Sequence, residues 1–565
     1  MKYLNYLIGS LIFLLLFIGY FHPINAITQD LGRHFLLGDI ILKTHNVPDT
    51  NLFSYTYPNF PFVNLHWLSE VVFYLIFKFI GFNGLLIFST AIILISFSIV
   101  FFYSFKKENI IPLSIISVFY IPVLFERTDI RPEIFSFLFL AIFVAVLYKF
   151  KFEKTKLIFI LPFIELLWVN MHIYFIIGIA VLGIFLLDSI IQSYKNKDKK
   201  FLSLLFITVF STLATFINPN FITGAVYPLR VFENYGYSIE ENQNILFLWN
   251  LFQKQTILYF VISAFTLIIV LFINIKKSKK IDWLLSLFFI ALSIMQIRNF
   301  PLFVFGTFIP FAKNLSDIYT RLPTIVKKTI PCLLLLLIIW QGNQVVKDKG
   351  FGFGVEKGAE KGVDFFIKNK LKGPIFNGFD VGGYLDYRLY PNEKVFVDNR
   401  PGEYPVSFFQ NVYIPMQNDQ KIFDEIDKKY NFNVIFFNHT DQTPWAENFL
   451  KQIIRNKNWE LIYLDDYCLI FVKNNKNNAE LINKYRMPER KNLSNVDYKN
   501  KNSLIGLSVF FNKTGLLENE VEIHNKILGL DPNFCYSLYR MANLLSQKNS
   551  SSADIYGLKF RNLCR

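Results

Sequence analysis

The stretch QDLGRHFLLGDIILKTHNVPDTNLFSYTYPNFPFVNLHWLSE, residues 29–70, follows the first hydrophobic run of the chain. It concentrates ionisable and hydroxylated residues, among them Asp30, His34, His66 and Glu70, directly beside membrane-compatible sequence. Ionisable groups at membrane depth are costly unless they face a cavity or one another. The stretch therefore predicts a large polar loop between a first helix and a bundle of membrane helices.

The composition indicates a membrane protein. Of the 565 residues 53% are hydrophobic and 65 are Phe, and the mean hydropathy is positive. No convincing small-residue cleavage site follows the first apolar run, so we predict a retained span rather than a signal peptide. These features exclude a soluble enzyme.

The net charge of +15 reflects basic residues in the loops between membrane spans rather than a surface that binds nucleic acid. We do not predict nucleic acid as a partner. Basic residues interrupt apolar runs that are long enough to cross a hydrocarbon core of about 30 Å. The clusters are Lys106 with Lys107, and residues 149–156, 195–200, 276–280 and 313–328. By the positive-inside rule these connections are cytoplasmic.

Eleven spans fit this alternation: residues 4–21, 83–104, 110–125, 134–150, 157–170, 173–192, 201–217, 256–274, 282–297, 300–313 and 328–341. Residues 68–81 are predicted to be an interfacial or re-entrant helix, because 14 residues rise only about 21 Å. Counting them as a span would place every lysine cluster from Lys106 onward outside.

With this topology the outer loops receive a distinct set of polar residues, and one outward-facing cavity would account for all of them. In chain order they are Asp30, His34, His66, Glu70, Glu126, Arg127, Asp129, Arg131, Glu133, Trp168, Asn170, His172, Asn218 to Asn220, Glu240, Glu241, Asn244, Arg298 and Asn299. Transporter sites lie instead near the bilayer midplane, often with internal repeats, and no repeat is evident here.

Two pairs in the first loop have helical spacing. Asp30 and His34 are four residues apart, as are His66 and Glu70, so each pair would share one face of a helix. Gly38 would let another backbone or a ligand approach that face. The histidines either contact substrate or pair with nearby carboxylates on interfacial helices, and the spacing leaves both interpretations open.

An ordered set of short motifs resembles the GT-C superfamily of multi-span glycosyltransferases, which use polyprenyl-phosphate-linked sugars. The motifs are D-L-G-R-H-x3-G from Asp30, V-P-D-T-N-x-F-S-Y-T from Val47, H-W-L-S-E from His66, R-P-E from Arg131, W-V-N-M-H from Trp168, N-P-N from Asn218 and R-N-F-P from Arg298. They extend over roughly residues 1–315 and are similar to a bacterial branch of the superfamily. The chain lacks the WWDYG-like motif of the oligosaccharyltransferases.

The resemblance implies an inverting transfer of a hexosyl or pentosyl group from a polyprenyl-phosphate donor to an acceptor nucleophile. A carboxylate must orient or deprotonate that nucleophile, a role we assign to Asp30 at the start of the first loop. Guanidinium groups suit the phosphate oxygens, and the candidates are Arg127, Arg131 and Arg298. The alternative for each arginine is a residue that snorkels to the membrane interface.

The other candidate substrate-binding residues are His34, His66, Glu70, Asn170, His172, Glu240 and Glu241. Asn170 and His172 stand at a tight hairpin, where they either contact the sugar or satisfy the turn. Asp30 with Glu240 or Glu241 forms a candidate set of oxygen ligands for a divalent cation, Mg or Mn. No other cofactor is predicted.

The composition becomes polar after Trp340, with four glycines between residues 350 and 358. We predict a GT-C-like membrane module with a large outer loop, a linker, a soluble α/β domain and a helical tail, at residues 1–341 (loop 22–82), 342–360, 361–475 and 476–565. Apolar runs predict strands at 374–376, 394–397, 433–437 and 459–472, with helices at 361–370, 420–429 and 444–456. The alternation favours a small layered α/β domain on the outer side.

Two motifs in that domain look like a binding surface: N-G-F-D-V-G-G-Y-L from Asn377 and V-D-N-R-P-G-E-Y from Val397. Gly382 and Gly383 do not form a dinucleotide fingerprint, and a turn between strand and helix is their simplest interpretation. The run Asp398-Asn399-Arg400 would suit contact with acceptor or sugar.

The tail, from residue 503, predicts helices, and Leu530-Asp531-Pro532-Asn533 resembles a boundary between tetratricopeptide repeats. Barely two repeats fit where about three are needed, so the tail is either a cap on the α/β domain or a docking site for a protein partner. The four cysteines, Cys332, Cys468, Cys535 and Cys564, predict neither a zinc site nor a disulfide framework.

Three functional classes follow from the sequence. The first is a multi-pass glycosyltransferase of a bacterial cytoplasmic membrane, whose partners are a polyprenyl-phosphate sugar, membrane lipid and a glycan, lipid or protein acceptor of the envelope. The second is a transporter or flippase of lipid-linked sugars. The third is a non-catalytic envelope assembly protein. In the first class the C-terminal domain is extracytoplasmic, and Asp30→Asn should lower transfer by orders of magnitude without unfolding the chain.

Overall fold

The computed structural model describes residues 2–25, 30–153, 155–196, 199–486, 495–548 and 550–564. The N-terminal part is helical, with α1 Lys2–Tyr20, α2 Leu31–Thr44, α3 Trp67–Ser104, α4 Ile110–Leu124, α5 Glu133–Phe152, α6 Leu161–Met171, α7 Phe175–Asn196, α8 Lys200–Ala214, α9 Phe221–Val226, α10 Ile245–Phe252, α11 Gln255–Ile273, α12 Lys280–Met295, α13 Phe300–Thr320 and α14 Thr324–Lys349.

The C-terminal part contains a small sheet with helices around it, followed by a helical tail. Its elements are α15 Glu360–Lys368, β1 Ile375–Asn377, α16 Phe379–Leu389, α17 Val406–Phe408, α18 Ile414–Asn418, α19 Gln420–Tyr430, β2 Val434–Asn438, α20 Pro444–Ile453, β3 Trp459–Leu464, β4 Cys468–Lys473, α21 Ala479–Tyr485, α22 Lys501–Thr514, α23 Leu517–Leu530, α24 Cys535–Gln547 and α25 Ser552–Leu563.

Helices occupy all eleven predicted spans. In the described part of the chain six helices are long and apolar enough to cross a membrane, namely α1, α3, α5, α7, α11 and α14. Helices α4, α6 and α8 belong to shorter apolar helical segments. Apolar segments of this length become helical because a backbone in lipid must form its hydrogen bonds internally. The exact number of crossings stays a prediction.

Helix α3 is broken at Gly81, whose φ of 72° and ψ of −167° are not helical. Glycine tolerates this conformation because it has no Cβ. The break separates the predicted interfacial segment 68–81 from the predicted span 83–104.

The predicted cytoplasmic connections lie at one end of the helical bundle. Lys106, Lys149, Lys277 and Lys313, each from a different lysine cluster, line one cavity of about 710 Å³. Lys200, from the remaining cluster, donates from Nζ to the Lys151 carbonyl at 3.1 Å. A common basic end is what the positive-inside rule requires. Lys154 and Lys197, which belong to these clusters, lie outside the described residues.

The sheet has the strand order β1-β2-β4-β3, in which β1 and β2 are parallel and the other two pairs are antiparallel. Three of the predicted strand regions lie in it, and residues 459–472 form the hairpin of β3 and β4. The prediction of a strand at 394–397 is wrong. Val395 instead forms an isolated parallel bridge with Ser54 of the first loop, because its backbone bonds to Phe53 and Tyr55.

The prediction of a turn at Gly382 and Gly383 is also wrong, since both lie inside α16. A Cβ at Gly382 would lie 2.4 Å from the carbonyl oxygen of Val397, and one at Gly383 would lie 2.6 Å from Asn399 Oδ1. Neither distance is tolerable. The two glycines therefore give α16 a bare face against which residues 397–399 pack.

The tail forms two helix pairs, α22 with α23 and α24 with α25, and α22 also packs on α20. A disulfide joins Cys535, at the start of α24, to Cys564, directly after α25. The expectation of no disulfide framework is wrong at this pair, because helix packing brings two cysteines 29 residues apart to a Cα separation of 5.7 Å. The tetratricopeptide-like character of the tail and its protein partner stay predictions.

Candidate active site

Asp30 stands directly before α2 with a left-handed backbone, φ 42°. Aspartate adopts this region more readily than most other side-chain-bearing residues. Its Oδ1 accepts a hydrogen bond from Asn399 Nδ2, and its Oδ2 lies 3.6 Å from Arg33 Nη2. The side chain of Asp30 is 25% exposed, whereas that of Arg33 is only 8% exposed. Asp30 is thus an accessible carboxylate where the first loop meets the C-terminal domain.

Arg127 and Arg131, between α4 and α5, converge on one carboxylate. Arg127 donates from Nε and Nη2 to the two Glu133 oxygens, at 2.6 and 2.8 Å, and from Nη1 to Glu241 Oε2. Arg131 Nη1 donates to the same Glu241 oxygen at 2.7 Å. Burial opposes the charge of Glu241, but both arginines outweigh it and hold the pKa of that carboxyl well below its usual range. The two arginines are paired with carboxylates of the protein.

Arg298, in the turn between α12 and α13, is held by neutral groups. Its Nε donates to the Tyr174 hydroxyl at 2.9 Å, and its Nη1 donates to Asn242 Oδ1 at 2.8 Å. Its guanidinium also lies 5.3 Å from the centre of the Tyr174 ring. In the described part of the chain no carboxylate lies within 4.0 Å of it, so its charge is not neutralised by an ion pair.

Three histidines form a row beside these arginines, of which His34 and His172 are buried and His66 is half-buried. The ring centres of His34 and His66 are 6.1 Å apart, and those of His66 and His172 are 5.2 Å apart. His34 Nδ1 lies 3.0 Å from Glu70 Oε1, and His172 Nδ1 lies 2.8 Å from Ser136 Oγ. Burial and the neighbouring His34 lower the pKa of His66 to about 3. Burial also lowers the pKa of His34 and of His172 well below the usual value.

The side chains of His34 and Asp30, which have helical spacing in the sequence, do not pair with each other; that of His34 has a partner farther along the chain. His34 pairs with Glu70 from the far end of the loop rather than with Asp30. A close approach of the two helices permits this, because a Cβ at Gly38 would lie 2.4 Å from the Glu70 carbonyl oxygen. The pairing agrees with the alternative in which the histidine meets a nearby carboxylate.

Asn170 uses its side chain within the protein. Its Oδ1 accepts from Trp67 Nε1 at 2.8 Å, and its Nδ2 donates to the carbonyls of Leu166 and Ile217 at 2.8 and 2.9 Å. These bonds tie the hairpin after α6 to the start of α3 and the end of α8. They support the interpretation in which Asn170 satisfies the turn.

Glu240 and Glu241 are neighbours in sequence but face different partners. Glu240 is 54% exposed and pairs with Lys254 Nζ at 2.7 Å, while Glu241 lies between the two arginines. Asp30 faces Asn399. The described residues contain no group of three or more His, Cys, Asp or Glu arranged to hold a metal. A divalent cation held by Asp30 with Glu240 or Glu241 stays a prediction.

Electrostatic effects link the separate parts of the site. Burial disfavours the Arg131 cation, yet Glu241 and, more weakly, Asp30 raise its pKa above the usual value. Arg298 contributes to the lowered pKa of both His66 and His172. The carboxylate of the first loop, the arginines of two later loops and the histidine row thus lie within electrostatic reach of one another.

In the C-terminal domain, the run Asp398-Asn399-Arg400, which we expected to suit contact with acceptor or sugar, bonds to the first loop. Arg400 donates from Nε to Asp398 Oδ1 at 3.1 Å and from Nη2 to Asn51 Oδ1 at 3.3 Å. Its guanidinium lies 4.9 Å from the ring centre of Phe53 and 5.3 Å from that of Phe62. The first loop therefore encloses Arg400, and the V-D-N-R-P-G-E-Y motif was the only sequence signal for this contact.

Several buried polar atoms around Asp30 have no hydrogen-bond partner within the described residues. They are Arg33 Nε, Arg131 Nε, Asn399 Oδ1 and both carboxylate oxygens of Asp386. Buried polar groups are nearly always hydrogen-bonded in folded proteins. Unsatisfied donors and acceptors beside an accessible carboxylate suit a polar ligand.

Comparison with solved structures shows the fold. The chain is similar to the oligosaccharyltransferase AglB from Archaeoglobus fulgidus in complex with an inhibitory peptide and a dolichol-phosphate, with a TM-score of 0.57 at 10% identity over 81% of this chain and 73% of that chain. For the Archaeoglobus fulgidus oligosaccharyltransferase in complex with Zn and sulfate, the TM-score is 0.54 at 10% identity over 94% and 86% of the two chains.

A third structure, of the oligosaccharyltransferase tethered with an acceptor peptide containing the NVT sequon, gives a TM-score of 0.53 at 9% identity over 84% of this chain and 75% of that chain. No family model and no curated protein matches the sequence. At such identities the likeness shows the fold alone. It confirms the GT-C fold that the ordered motifs predicted.

Proposed function

We propose that the chain is a membrane glycosyltransferase that moves a sugar from a polyprenyl-phosphate donor to a cell-envelope acceptor on the extracytoplasmic side. One observation carries the proposal: Asp30, an accessible carboxylate, lies within electrostatic reach of Arg131, whose side chain is 20% exposed, on a GT-C fold. A base beside fixed positive charge is the arrangement that glycosyl transfer from a phosphate requires.

In the proposed reaction Asp30 accepts the proton of an acceptor hydroxyl or amine while that oxygen or nitrogen attacks the anomeric carbon. The bond from the anomeric carbon to the phosphate oxygen breaks, and polyprenyl phosphate leaves with the electron pair. Arg298 and Arg131 stabilise the negative charge that grows on the leaving phosphate. Because attack and departure occur on opposite faces of the sugar, the configuration inverts.

Arg298 is the strongest candidate for the phosphate contact. Its guanidinium has donors beyond the two that bind Tyr174 and Asn242, and within the described part of the chain no carboxylate pairs with its charge. The structural neighbour binds dolichol-phosphate, which supports a lipid-linked phosphate as the donor group here. The sugar and the acceptor are open to experiment.

The extracytoplasmic location rests on two features. The lysine clusters gather at the end that the positive-inside rule assigns to the cytoplasm. The disulfide between Cys535 and Cys564 suits an oxidising compartment. We therefore propose that the C-terminal domain and Asp30 are outside a bacterial cytoplasmic membrane.

The test uses the full-length protein in lipid nanodiscs with a panel of radiolabelled undecaprenyl-phosphate hexoses and pentoses and a cell-envelope fraction as acceptor. We expect label transfer and release of undecaprenyl phosphate, which Asp30→Asn reduces by about 10²- to 10⁴-fold. The matched control is Asp39→Asn on α2, the helix that Asp30 precedes, where the Asp39 carboxylate pairs with Lys43.

Equal transfer by the Asp30→Asn protein would refute the assigned role. Movement of the labelled lipid between bilayer leaflets without release of undecaprenyl phosphate would favour the transporter instead. Parallel reactions with EDTA and with added Mg or Mn report whether a divalent cation takes part.

A further inference from the structure

We infer that Asn399, in the C-terminal domain, is a positioning residue for Asp30, so that the C-terminal domain completes the active site. The inference rests on the proposed role of Asp30 as the base. It concerns two residues that are 369 positions apart in the chain and joined by a direct hydrogen bond from Asn399 Nδ2 to Asp30 Oδ1.

The first argument is that Asp30 does not cap α2, although it stands directly before this helix. An aspartate before a helix normally accepts hydrogen bonds from the first backbone N–H groups of that helix, which stabilises the helix by about 1 kcal/mol. Asp30 precedes α2 but makes no such capping bond, and its backbone is left-handed. Its carboxylate is committed to Asn399 instead of to helix stability.

The second argument is that Asn399 is itself held in place. The side chain of Asn377 donates to the Val397 carbonyl at 2.7 Å and accepts from the Phe396 amide at 2.9 Å. The bare face of α16 at Gly382 and Gly383 supports the same segment from the other side. A residue whose backbone is fixed from both sides can fix the carboxylate that it contacts.

The third argument concerns how the domain is joined to the first loop. Arg400, next to Asn399, lies between Phe53 and Phe62, and Asn51 Nδ2 donates to the Glu403 carbonyl at 3.3 Å. Arg400 is 7% exposed as a side chain and pairs with Asp398 and Glu403, each at 2.5 Å. This buried joint sets the position of Asn399 relative to Asp30.

The two ends of the Asn399 amide face different surroundings. Its Oδ1 is buried, has no hydrogen-bond partner within the described ranges, and lies where a Cβ at Gly383 would be 2.6 Å away. Its Nδ2 donates to Asp30. Packing against α16 on one side and a hydrogen bond on the other thus hold the amide toward Asp30.

The experiment is a double-mutant cycle of Asp30→Asn and Asn399→Ala in nanodiscs, with undecaprenyl-phosphate sugar and the envelope fraction as substrates. Loss of one hydrogen bond to a charged group predicts a fall in turnover of about 10- to 100-fold for Asn399→Ala. Binding of undecaprenyl phosphate alone should change by less than about twofold, since Asn399 does not contact the arginines to which we assign the phosphate. Asn458→Ala, at an exposed position of the same domain, is the control.

The cycle separates positioning from a merely structural role. If Asn399 acts through Asp30, then Asn399→Ala has no further effect in the Asp30→Asn background. Additive losses, or full turnover by Asn399→Ala, would overturn the inference. Full turnover by Asp30→Asn would instead overturn the proposed function, so the two failures are distinguishable.

Isosteric Asn399→Asp guards against a folding defect. It keeps the shape of the side chain and replaces the donor by a carboxylate that repels Asp30, so turnover should fall at least as far as for Asn399→Ala. Thermal unfolding monitors the fold of each variant. A well-folded Asn399→Asp protein with normal turnover would count against the inference.

Discussion

Arg131 Nη1 donates a hydrogen bond to Glu241 Oε2 at 2.7 Å, and Arg127 binds the same oxygen. The Glu241 carboxylate thereby neutralises part of the positive charge of the arginines, the charge that we propose stabilises the leaving phosphate. The arrangement gives Glu241 control over how strongly an anion is attracted to this side of the site.

Glu241→Gln should tighten the binding of undecaprenyl phosphate. Removal of one negative charge close to the guanidinium groups of Arg127 and Arg131 predicts about a five- to tenfold lower Kd at low salt. The measurement is lipid-phosphate binding to nanodisc-embedded protein at fixed ionic strength, with exposed Glu233→Gln as the control. Weaker binding would mean that Glu241 chiefly holds the arginines in position.

Arg298→Lys should weaken the phosphate contact although it conserves the charge. A lysine cannot reproduce the fork that bonds Tyr174 and Asn242 while it presents further donors. We expect a fall in turnover of about tenfold or more, with weaker binding of undecaprenyl phosphate. Arg230→Lys is the control, because Arg230 is exposed and pairs only locally. Wild-type behaviour of Arg298→Lys would contradict the assignment.

His66 should make the fold sensitive to acid. Its pKa is lowered to about 3 in the folded chain, so at lower pH the unfolded chain binds the proton first. The contribution of His66 to the free energy of unfolding is therefore largest above about pH 6.5 and falls by about 1.4 kcal/mol per pH unit below it. Between pH 7.5 and pH 5.5 the unfolding temperature of the wild type should therefore fall more than that of His66→Gln. A pH-independent difference would refute this.

The disulfide should stabilise the C-terminal helices. Closing a loop between cysteines 29 residues apart contributes about 3–4 kcal/mol by the chain-entropy model. Replacing Cys535 and Cys564 together by serine should lower the unfolding temperature of the tail. Limited proteolysis of the helices that follow α21 measures this change. Cys468→Ser, at a buried free cysteine of the sheet, separates loss of a cross-link from loss of packing. Equal protease resistance would argue against a stabilising cross-link.

Thiol labelling tests the proposed topology. A membrane-impermeant maleimide applied to intact spheroplasts should label Cys535 and Cys564 only after treatment with an impermeant reductant, because both are disulfide-bonded and proposed to be outside. The Cys535→Ser and Cys564→Ser double variant provides the background signal. Labelling that requires lysis would place the tail in the cytoplasm.

The sequence by itself determined the helical framework. Hydrophobic runs such as 256–274 became helices at the predicted places, because an apolar segment in lipid must form its backbone hydrogen bonds internally. The lysine clusters marked one end of the bundle, as Lys106 and Lys277 show by lining the same cavity. These properties are local, and the order of the short motifs was enough to predict the GT-C fold.

Only the tertiary structure decided how the site is assembled. Asn399 meets Asp30 across 369 residues, and the adjacent Glu240 and Glu241 turn to different partners. The apolar run at Val395 pairs with the first loop instead of the sheet. Periodicity reports which face of an element is buried, but partner choice among polar groups depends on how two domains dock, and that information is spread over the whole chain.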